Sequence, residues 1–169
     1  IDAGCSREEA LRCCYENSRD NARTPMQWTD DENAGFTDGM PWLAMNPNYR
    51  QINVREQEAR TDSVLVYYRR LVHLRKADAY RETFTYGIFE PAYQEMADVF
   101  AYYRVSGESG QRILVAANFG TDAVSLPLAY SCRQVLLSNL RAESAVETAC
   151  EKANALTLES CEVAVIELG

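Results

Sequence analysis

Arginine, aspartate and tryptophan side chains that could bind a sugar lie close together near the start of the chain. Arg19 and Arg23 are four residues apart, and Asp20 lies between them. A planar guanidinium can donate hydrogen bonds to two neighbouring hydroxyl groups, and an adjacent carboxylate fixes its direction. Trp28 and Trp42 follow, and an indole face can stack on a hexose or close a small core within a loop. This combination of residues predicts a sugar-facing wall.

An acidic run and a single histidine are the other candidates for chemistry. Asp30, Asp31 and Glu32 could be imagined as a carboxylate pair for glycoside hydrolysis. Neighbouring acids in a loop point apart into water, however, so we interpret the run as a solvated loop. His73 is the only histidine, which argues against a self-contained Ser-His-Asp triad. Its apolar neighbours predict a partly buried helix residue.

Composition limits the partners and cofactors of the chain. Its net charge is 17 − 25 = −8, which argues against nucleic acid or an anionic membrane as a partner. No apolar run approaches the ~20 residues of a membrane span, and no leader segment is visible. Cys13 and Cys14 are adjacent, the other four cysteines are scattered, and no Cys-x-x-Cys pair exists. This pattern favours reduced thiols in a cytoplasmic protein over a secreted one. We predict no metal site and no organic cofactor.

We predict helices only in the first half of the chain. Ser6 and Glu9 have the spacing of a capping box, which predicts a helix over residues 6–17. Proline, glycine and asparagine mark residues 25–60 as a loop, and its aromatic residues argue against disorder. Apolar residues at helical spacing predict a second helix over residues 63–76, with Asp62 as its cap.

From about residue 84 the apolar pattern has a period of two, which is typical of strands. Short alternating segments separated by turn residues indicate an antiparallel sandwich or open Greek-key barrel. The predicted fold is therefore mainly β with helices: two helices and a long loop, then an all-β C-terminal antiparallel Greek-key sandwich. The seven predicted strands cover residues 84–89, 99–105, 112–119, 123–126, 134–138, 155–158 and 162–168.

Two motifs give the chain a specific resemblance. Residues 19–28 read Arg-Asp-Asn-Ala-Arg-Thr-Pro-Met-Gln-Trp, and residues 33–36 read Asn-Ala-Gly-Phe. They resemble the loop after the eighth barrel strand in the α-glucosidase branch of the α-amylase superfamily, glycoside hydrolase family thirteen. That branch includes oligo-1,6-glucosidase, dextran glucosidase, trehalose-6-phosphate hydrolase and sucrose isomerase. The resemblance implies that residues 1–78 end a (β/α)8 catalytic barrel and that residues 79–169 form its C-terminal β-sandwich domain.

The resemblance also implies roles for the arginines. Arg23 is similar to the residue that holds the non-reducing-end glucose in the innermost subsite, beside an aspartate from an early barrel loop. Arg19 and Asp20 would then orient the loop. From the residues alone, Arg23 could instead bridge Asp20 or another loop carboxylate. We expect Trp28 and Trp42 to anchor the core of the loop rather than to stack on sugar.

The carboxylates that such a reaction needs are missing. The family uses a nucleophile, a general acid and a third aspartate on upstream barrel strands, and nothing in this chain resembles their sequence settings. A complete barrel also needs about 250 residues. We therefore expect a C-terminal fragment of an exo-acting, retaining α-glucosidase for short oligosaccharides, inactive alone and without catalytic residues. The missing loops would decide which linkage is cleaved.

Partners and alternatives follow from the same pattern. The apolar face of the helix over residues 63–76 would lack the barrel that it covers, so we expect self-association through that face or a loop that repacks against it. One alternative function is the non-catalytic heavy-chain subunit of an amino-acid transporter, which is membrane-anchored and usually glycosylated. The absence of Asn-x-Ser/Thr sequons favours the enzyme. Another alternative is a carbohydrate-binding β module, although neighbours such as Tyr102 and Tyr103 face opposite sides of a strand.

Overall fold

The computed structural model describes residues 4–169, apart from the side chain of Asn21. The chain divides between Val66 and Tyr67 into two compact units. None of the helices in this described part combines the length and the apolar character that crossing a bilayer requires.

The first unit begins with the predicted helix, α1, over Arg7–Asn17. The capping box is present: the Ser6 hydroxyl accepts a hydrogen bond from the Glu9 N–H at 3.2 Å, and the Glu9 carboxylate accepts one from the Ser6 N–H at 2.9 Å. The predicted loop is mostly irregular, but a short helix, α2, forms over Val54–Glu58. Three 3-10 turns occupy Arg19–Ala22, Glu32–Gly35 and Pro47–Arg50.

The second predicted helix, α3, spans Val64–Lys76, but its predicted cap is wrong. The hydroxyl of Ser63, not the side chain of Asp62, accepts a hydrogen bond from the Val66 N–H at 3.2 Å. The Asp62 carboxylate instead accepts two hydrogen bonds from the Arg60 guanidinium, at 3.0 and 3.1 Å. His73 lies on α3 as predicted, but its side chain is exposed rather than partly buried.

The strand predicted over residues 84–89 is wrong in its first half, because residues 84–86 belong to helix α4, which spans Arg81–Tyr86. Strand β1 starts only at Ile88 and runs to Ala92. The aromatic rings of Tyr80 and Phe84 pack edge to face with their centroids 6.5 Å apart. The Arg104 side chain binds the carbonyls of Thr83 and Phe84 at the end of α4. These tertiary contacts outweigh the strand preference of the aromatic and β-branched residues.

The second unit is an antiparallel sandwich, as predicted. After β1, its strands are β2 Val99–Val105, β3 Arg112–Asn118, β4 Val124–Pro127, β5 Cys132–Ser138, β6 Ala155–Leu158 and β7 Val163–Leu168. The larger sheet has the strand order β1-β2-β3-β7-β5, and β4 pairs with β6 in a second sheet. A helix that the sequence did not predict, α5, covers Glu143–Ala153.

Each face of the five-stranded sheet carries a hydrophobic cluster. On one face, Leu114 and Ile166 pack against residues of β4, β6 and α5 in the main core. On the other, Ile113 and Val165 pack against side chains of α3 and α4 together with their connection. Strand alternation explains the division, because adjacent residues point to opposite faces. Tyr102 and Tyr103 are both half-buried.

Candidate sugar-binding loop

Arg23 directly follows a short turn that the chain builds from its own polar groups. The Ser18 hydroxyl accepts a hydrogen bond from the Asp20 N–H at 3.2 Å, and the Arg23 N–H donates to the Asp20 carbonyl at 3.0 Å. Pro25 is buried two residues later, whereas the side chain of Arg23 is exposed. The turn and the buried proline therefore hold the backbone on both sides of an exposed guanidinium.

The side chains of Arg19, Asp20 and Arg23 lie in this one turn, and all three are exposed. Among the side chains that the structure describes, no ion pair joins Arg23 to Asp20 or to another carboxylate. An exposed guanidinium without an ion pair keeps its five N–H donors available for hydroxyl or carboxylate groups of a ligand.

The segment after Pro25 is fastened to the start of α2. The N–H groups of Val54 and Arg55 donate to the carbonyls of Gln27 and Trp28, both at 3.0 Å. The Gln27 amide also donates to the Asn48 side chain at 3.1 Å. These bonds connect residues more than 20 positions apart, so they fix the loop as a unit.

The Asn-Ala-Gly motif forms a left-handed turn. Asn33, Ala34 and Gly35 have φ values of 50°, 54° and 64°. Such a conformation disfavours residues with a Cβ, although asparagine tolerates it better than alanine. Ala34 nevertheless lies fully buried, and its carbonyl accepts hydrogen bonds from the N–H groups of both Trp28 and Thr29. The motif therefore closes the loop back onto the segment that carries Arg23.

Two of the three acids in the acidic run, Asp30 and Asp31, are bound by one arginine. The Arg55 guanidinium binds Asp30 at 2.9 Å and Asp31 at 2.8 Å, and all three side chains are largely exposed. A hydrogen bond with Thr29, together with the Arg55 charge, lowers the pKa of Asp31. The two carboxylates do not point apart as predicted, because Arg55 holds both. A proton donor in glycoside hydrolysis needs a raised pKa, so this arrangement does not provide one.

The two tryptophans are more exposed than the sequence predicts. Trp28 is 49% exposed and Trp42 is 83% exposed. The prediction that both anchor the core of the loop is therefore wrong for Trp42, whose indole has little protein around it. Exposed indole faces can stack on a sugar ring or pack against another protein surface.

The residues that hold this loop were not identified from the sequence. Gln27 bridges distant segments, and the Asn53 side chain caps α2 by accepting a hydrogen bond from the Glu56 N–H at 2.9 Å. The Asn33 amide donates to the carbonyls of Thr37 and Gly39, both at 3.2 Å. Only Asn53 has a signal that local sequence can reveal, because asparagine before a short helix is a common cap.

The described chain offers no metal site as an alternative to this loop. Within residues 4–169, no three metal-binding side chains cluster. A cavity in the second unit lies beside Asp98, Asn118 and Asp122. The Asn118 amide there donates to the carbonyls of Asp122 and Glu159, at 2.9 and 3.0 Å, so it serves the fold.

Known proteins resemble this chain in sequence. Residues 2–87 match the protein family described as alpha amylase, catalytic domain. An oligo-1,6-glucosidase of Bacillus cereus is 38% identical over 148 residues, which cover 85% of this chain and 26% of that protein. A glucan 1,6-alpha-glucosidase of Streptococcus pneumoniae is 38% identical over 147 residues, which cover 87% of this chain and 26% of that enzyme. The chain thus spans about a quarter of the length of these curated relatives.

Solved structures share the fold as well. The isomaltulose synthase of Klebsiella sp. LX3 superposes with a TM-score of 0.82 at 32% sequence identity. The superposition covers 99% of this chain and 29% of the synthase. The likeness therefore includes both compact units, each of which has a counterpart in the larger protein.

Proposed function

The chain belongs to the α-amylase family, and from this premise we propose that it is the C-terminal part of an exo-acting, retaining α-glucosidase. The enzyme would hydrolyse α-glucosidic bonds of short oligosaccharides. Residues 1–78 would end the catalytic barrel, and residues 79–169 would be its β-sandwich domain. The names of the two relatives favour α-1,6 bonds as the first substrates to test.

One observation carries the proposal: Arg23 is exposed on a loop that the chain itself holds in place. Its side chain has no described carboxylate partner, whereas the backbone around it is fixed by the turn at Asp20 and by the bonds from α2. A preorganised guanidinium loses little freedom when it grips two sugar hydroxyls. In our proposal Arg23 holds the non-reducing-end glucose, and Arg19 and Asp20 orient the turn.

The chain alone should not turn over substrate, because retaining hydrolysis needs two carboxyl groups about 5 Å apart, on opposite sides of the scissile bond. Asp30 and Asp31 are tied to Arg55 and exposed. We therefore assign no catalytic residue to this chain.

A chimera tests the proposal. The corresponding part of the Bacillus cereus oligo-1,6-glucosidase is replaced by this chain, and hydrolysis of isomaltose and of nitrophenyl α-glucoside is measured. We expect an active chimera in which Arg23→Lys lowers kcat/KM about 100-fold, because a lysine cannot donate in the same planar, paired geometry. Arg81→Lys is the matched control, since Arg81 lies on α4 and pairs only loosely with Asp78 at 3.6 Å.

Two results would contradict the proposal. One is turnover by the purified chain of 169 residues alone, which would place the catalytic carboxylates within it. The other is an active chimera in which Arg23→Lys and Arg81→Lys behave alike, because Arg23 would then have no special part in binding sugar.

The proposal also covers the cellular location of the chain and its self-association. We propose a cytoplasmic location, because six cysteines spread over 169 residues do not form the scaffold of a disulfide-rich secreted domain. Self-association is supported by α3, where Val64 and Tyr68 are 76% and 63% exposed. We propose that a second copy covers this face when no barrel does.

A further inference from the structure

Helix α5 is held on strand β5 in an antiparallel register. The Glu143 carboxylate, in the first turn of the helix, accepts a hydrogen bond from the Ser138 N–H at the end of the strand. One turn later, the Glu147 carboxylate accepts a hydrogen bond from the Val135 N–H at 3.1 Å. Later residues of α5 therefore lie beside earlier residues of β5.

This register brings two cysteines together. Cys150 lies about one turn beyond Glu147, and Cys132 is the first residue of the strand. Cys150 is buried in the main core, and the half-buried Cys132 packs against the same cluster. Each thiol also contributes to the pKa of the other, which agrees with their place in one cluster.

We propose that Cys132 and Cys150 form a disulfide site that links β5 to α5 when the chain meets a small-molecule disulfide. The Cys132 thiolate attacks the oxidant, whose S–S bond breaks and releases one thiol. The Cys150 thiolate then attacks the Cys132 sulfur and releases the second thiol. The two cysteines lose two electrons and two protons, and the oxidant is reduced to two thiols.

The order of attack follows from burial. Cys150 is 1% exposed, so a soluble oxidant cannot reach its sulfur in the folded chain. Cys132 is half-buried at the start of its strand and can be reached. Cys132 is therefore the attacking thiol, and Cys150 resolves the mixed disulfide from within the core.

The surroundings make this reaction slow at neutral pH. Burial raises the pKa of both thiols, that of Cys150 to about 12. The nearby carboxylates of Glu147 and Glu151 oppose the thiolates, while Arg141 favours the thiolate of Cys150. Because the thiolate is the nucleophile, the rate should rise about tenfold per pH unit between pH 7 and 8.5. The site therefore responds to sustained oxidation rather than to brief exposure.

Peptide mapping after oxidation tests the proposal. A variant in which the exposed Cys5, Cys13, Cys14 and Cys161 are replaced by serine keeps only the proposed pair. It is incubated with oxidised glutathione at about pH 8.5, blocked with a maleimide, digested and analysed by mass spectrometry. We expect loss of both remaining thiols and a peptide that joins Cys132 to Cys150. The melting temperature should rise by about 5–10 °C, because the cross-link restricts the unfolded chain.

The controls separate this site from random oxidation. With Cys132→Ser added, Cys150 should keep a free thiol, because it is buried from the oxidant. The unsubstituted chain is mapped in parallel, so that misfolding of the fourfold variant does not decide the result. A stable glutathione adduct on Cys132 with Cys150 free would overturn the proposal. So would linkages confined to the exposed cysteines in the unsubstituted, folded chain.

Discussion

The guanidinium of Arg141 grips the carboxylate of Glu162 through two parallel hydrogen bonds. Nε donates to Oε1 at 2.9 Å, and Nη2 donates to Oε2 at 2.7 Å. Glu162 is fully buried, and it also accepts hydrogen bonds from the Ser138 hydroxyl and the Glu159 N–H. A buried charge is tolerated only when it is paired and fully hydrogen-bonded. This pair therefore closes the end of the sandwich where β5, β6 and β7 meet.

Removing the arginine should destabilise the chain strongly. In Arg141→Met the Glu162 carboxylate would remain buried without its partner, and breaking such a pair costs about 3 kcal/mol or more of the free energy of unfolding. Urea unfolding at pH 7 measures the loss. Arg81→Met is the matched control, because Arg81 and its partner Asp78 are both exposed and lie 3.6 Å apart. A surface pair of that kind contributes less than about 1 kcal/mol. Equal losses in the two variants would contradict our account.

The same pair predicts a dependence of stability on pH. Burial alone would raise the pKa of Glu162, but the bonds from Arg141, from the Glu159 N–H and from Ser138 lower it below the ordinary value of 4.5. A carboxyl whose pKa is depressed on folding stabilises the native state above the unfolded pKa. That contribution is lost as pH falls through the folded pKa. The difference in free energy of unfolding between the native chain and Glu162→Gln should be constant above about pH 5 and shrink below it. Urea unfolding from pH 6 to 3 measures it, and a difference independent of pH would reject the assignment.

Gly87 joins α4 to β1 at a point where a side chain does not fit. A Cβ there would lie 2.4 Å from the Thr83 carbonyl oxygen and 3.0 Å from that of Val105. Both contacts are with backbone, which cannot rotate away. We expect Gly87→Ala to lower the free energy of unfolding by about 2–3 kcal/mol. Gly107→Ala is the control, because nothing lies within 4 Å of a Cβ at that glycine. It should change stability by less than about 0.5 kcal/mol in chemical denaturation. A neutral Gly87→Ala would show that this turn can relax.

The turn at Gly87 also shows where prediction from sequence fails in this fold. The capping box at Ser6 and the alternation of β3 and β7 were readable, because they depend on residues close in sequence or on strict period two. The sequence of residues 84–86 predicts a strand. In the structure these residues are helical, and Arg104, about twenty positions away, donates hydrogen bonds to carbonyls of α4. Helix α5 was missed although Val146 and Cys150 are four residues apart and most of their neighbours are helix formers. Predicting α4 therefore requires knowledge of a tertiary contact, whereas the pattern of α5 is visible in the sequence.

The candidate sugar-binding loop also has features that the sequence predicts and features that only the structure shows. The motif around Arg23 identified the loop from residue types alone. The exposure of Trp42 could not be predicted, because it depends on what protein surrounds the loop. The role of Arg55, which binds Asp30 and Asp31 from about 25 residues away, also required the structure. Long-range pairing is thus the part that local patterns did not supply.

Helix α3 provides the last prediction, which concerns assembly. Tyr67 and Leu74 pack on the sheet beside Ile113 and Val165. On another part of the helix surface, Tyr68 is 63% exposed, and Val64 and Leu71 are exposed near it. An apolar stripe of this kind gains free energy when a second copy covers it. We expect light scattering to give a mass that rises with concentration from 19.1 kDa toward twice that value.

A charge in the middle of the stripe should prevent this assembly. Tyr68→Glu would bury a carboxylate at the contact, so we expect the dimer to weaken at least about 30-fold. Tyr86→Glu introduces the same charge at an exposed tyrosine on α4 and should leave the dimer intact. If both variants dissociate the dimer, either the contact lies elsewhere or the added charge repels the two copies in general. A native chain that stays monomeric up to millimolar concentration would contradict the prediction. Its exposed apolar area would then be too small to offset the entropy lost on association.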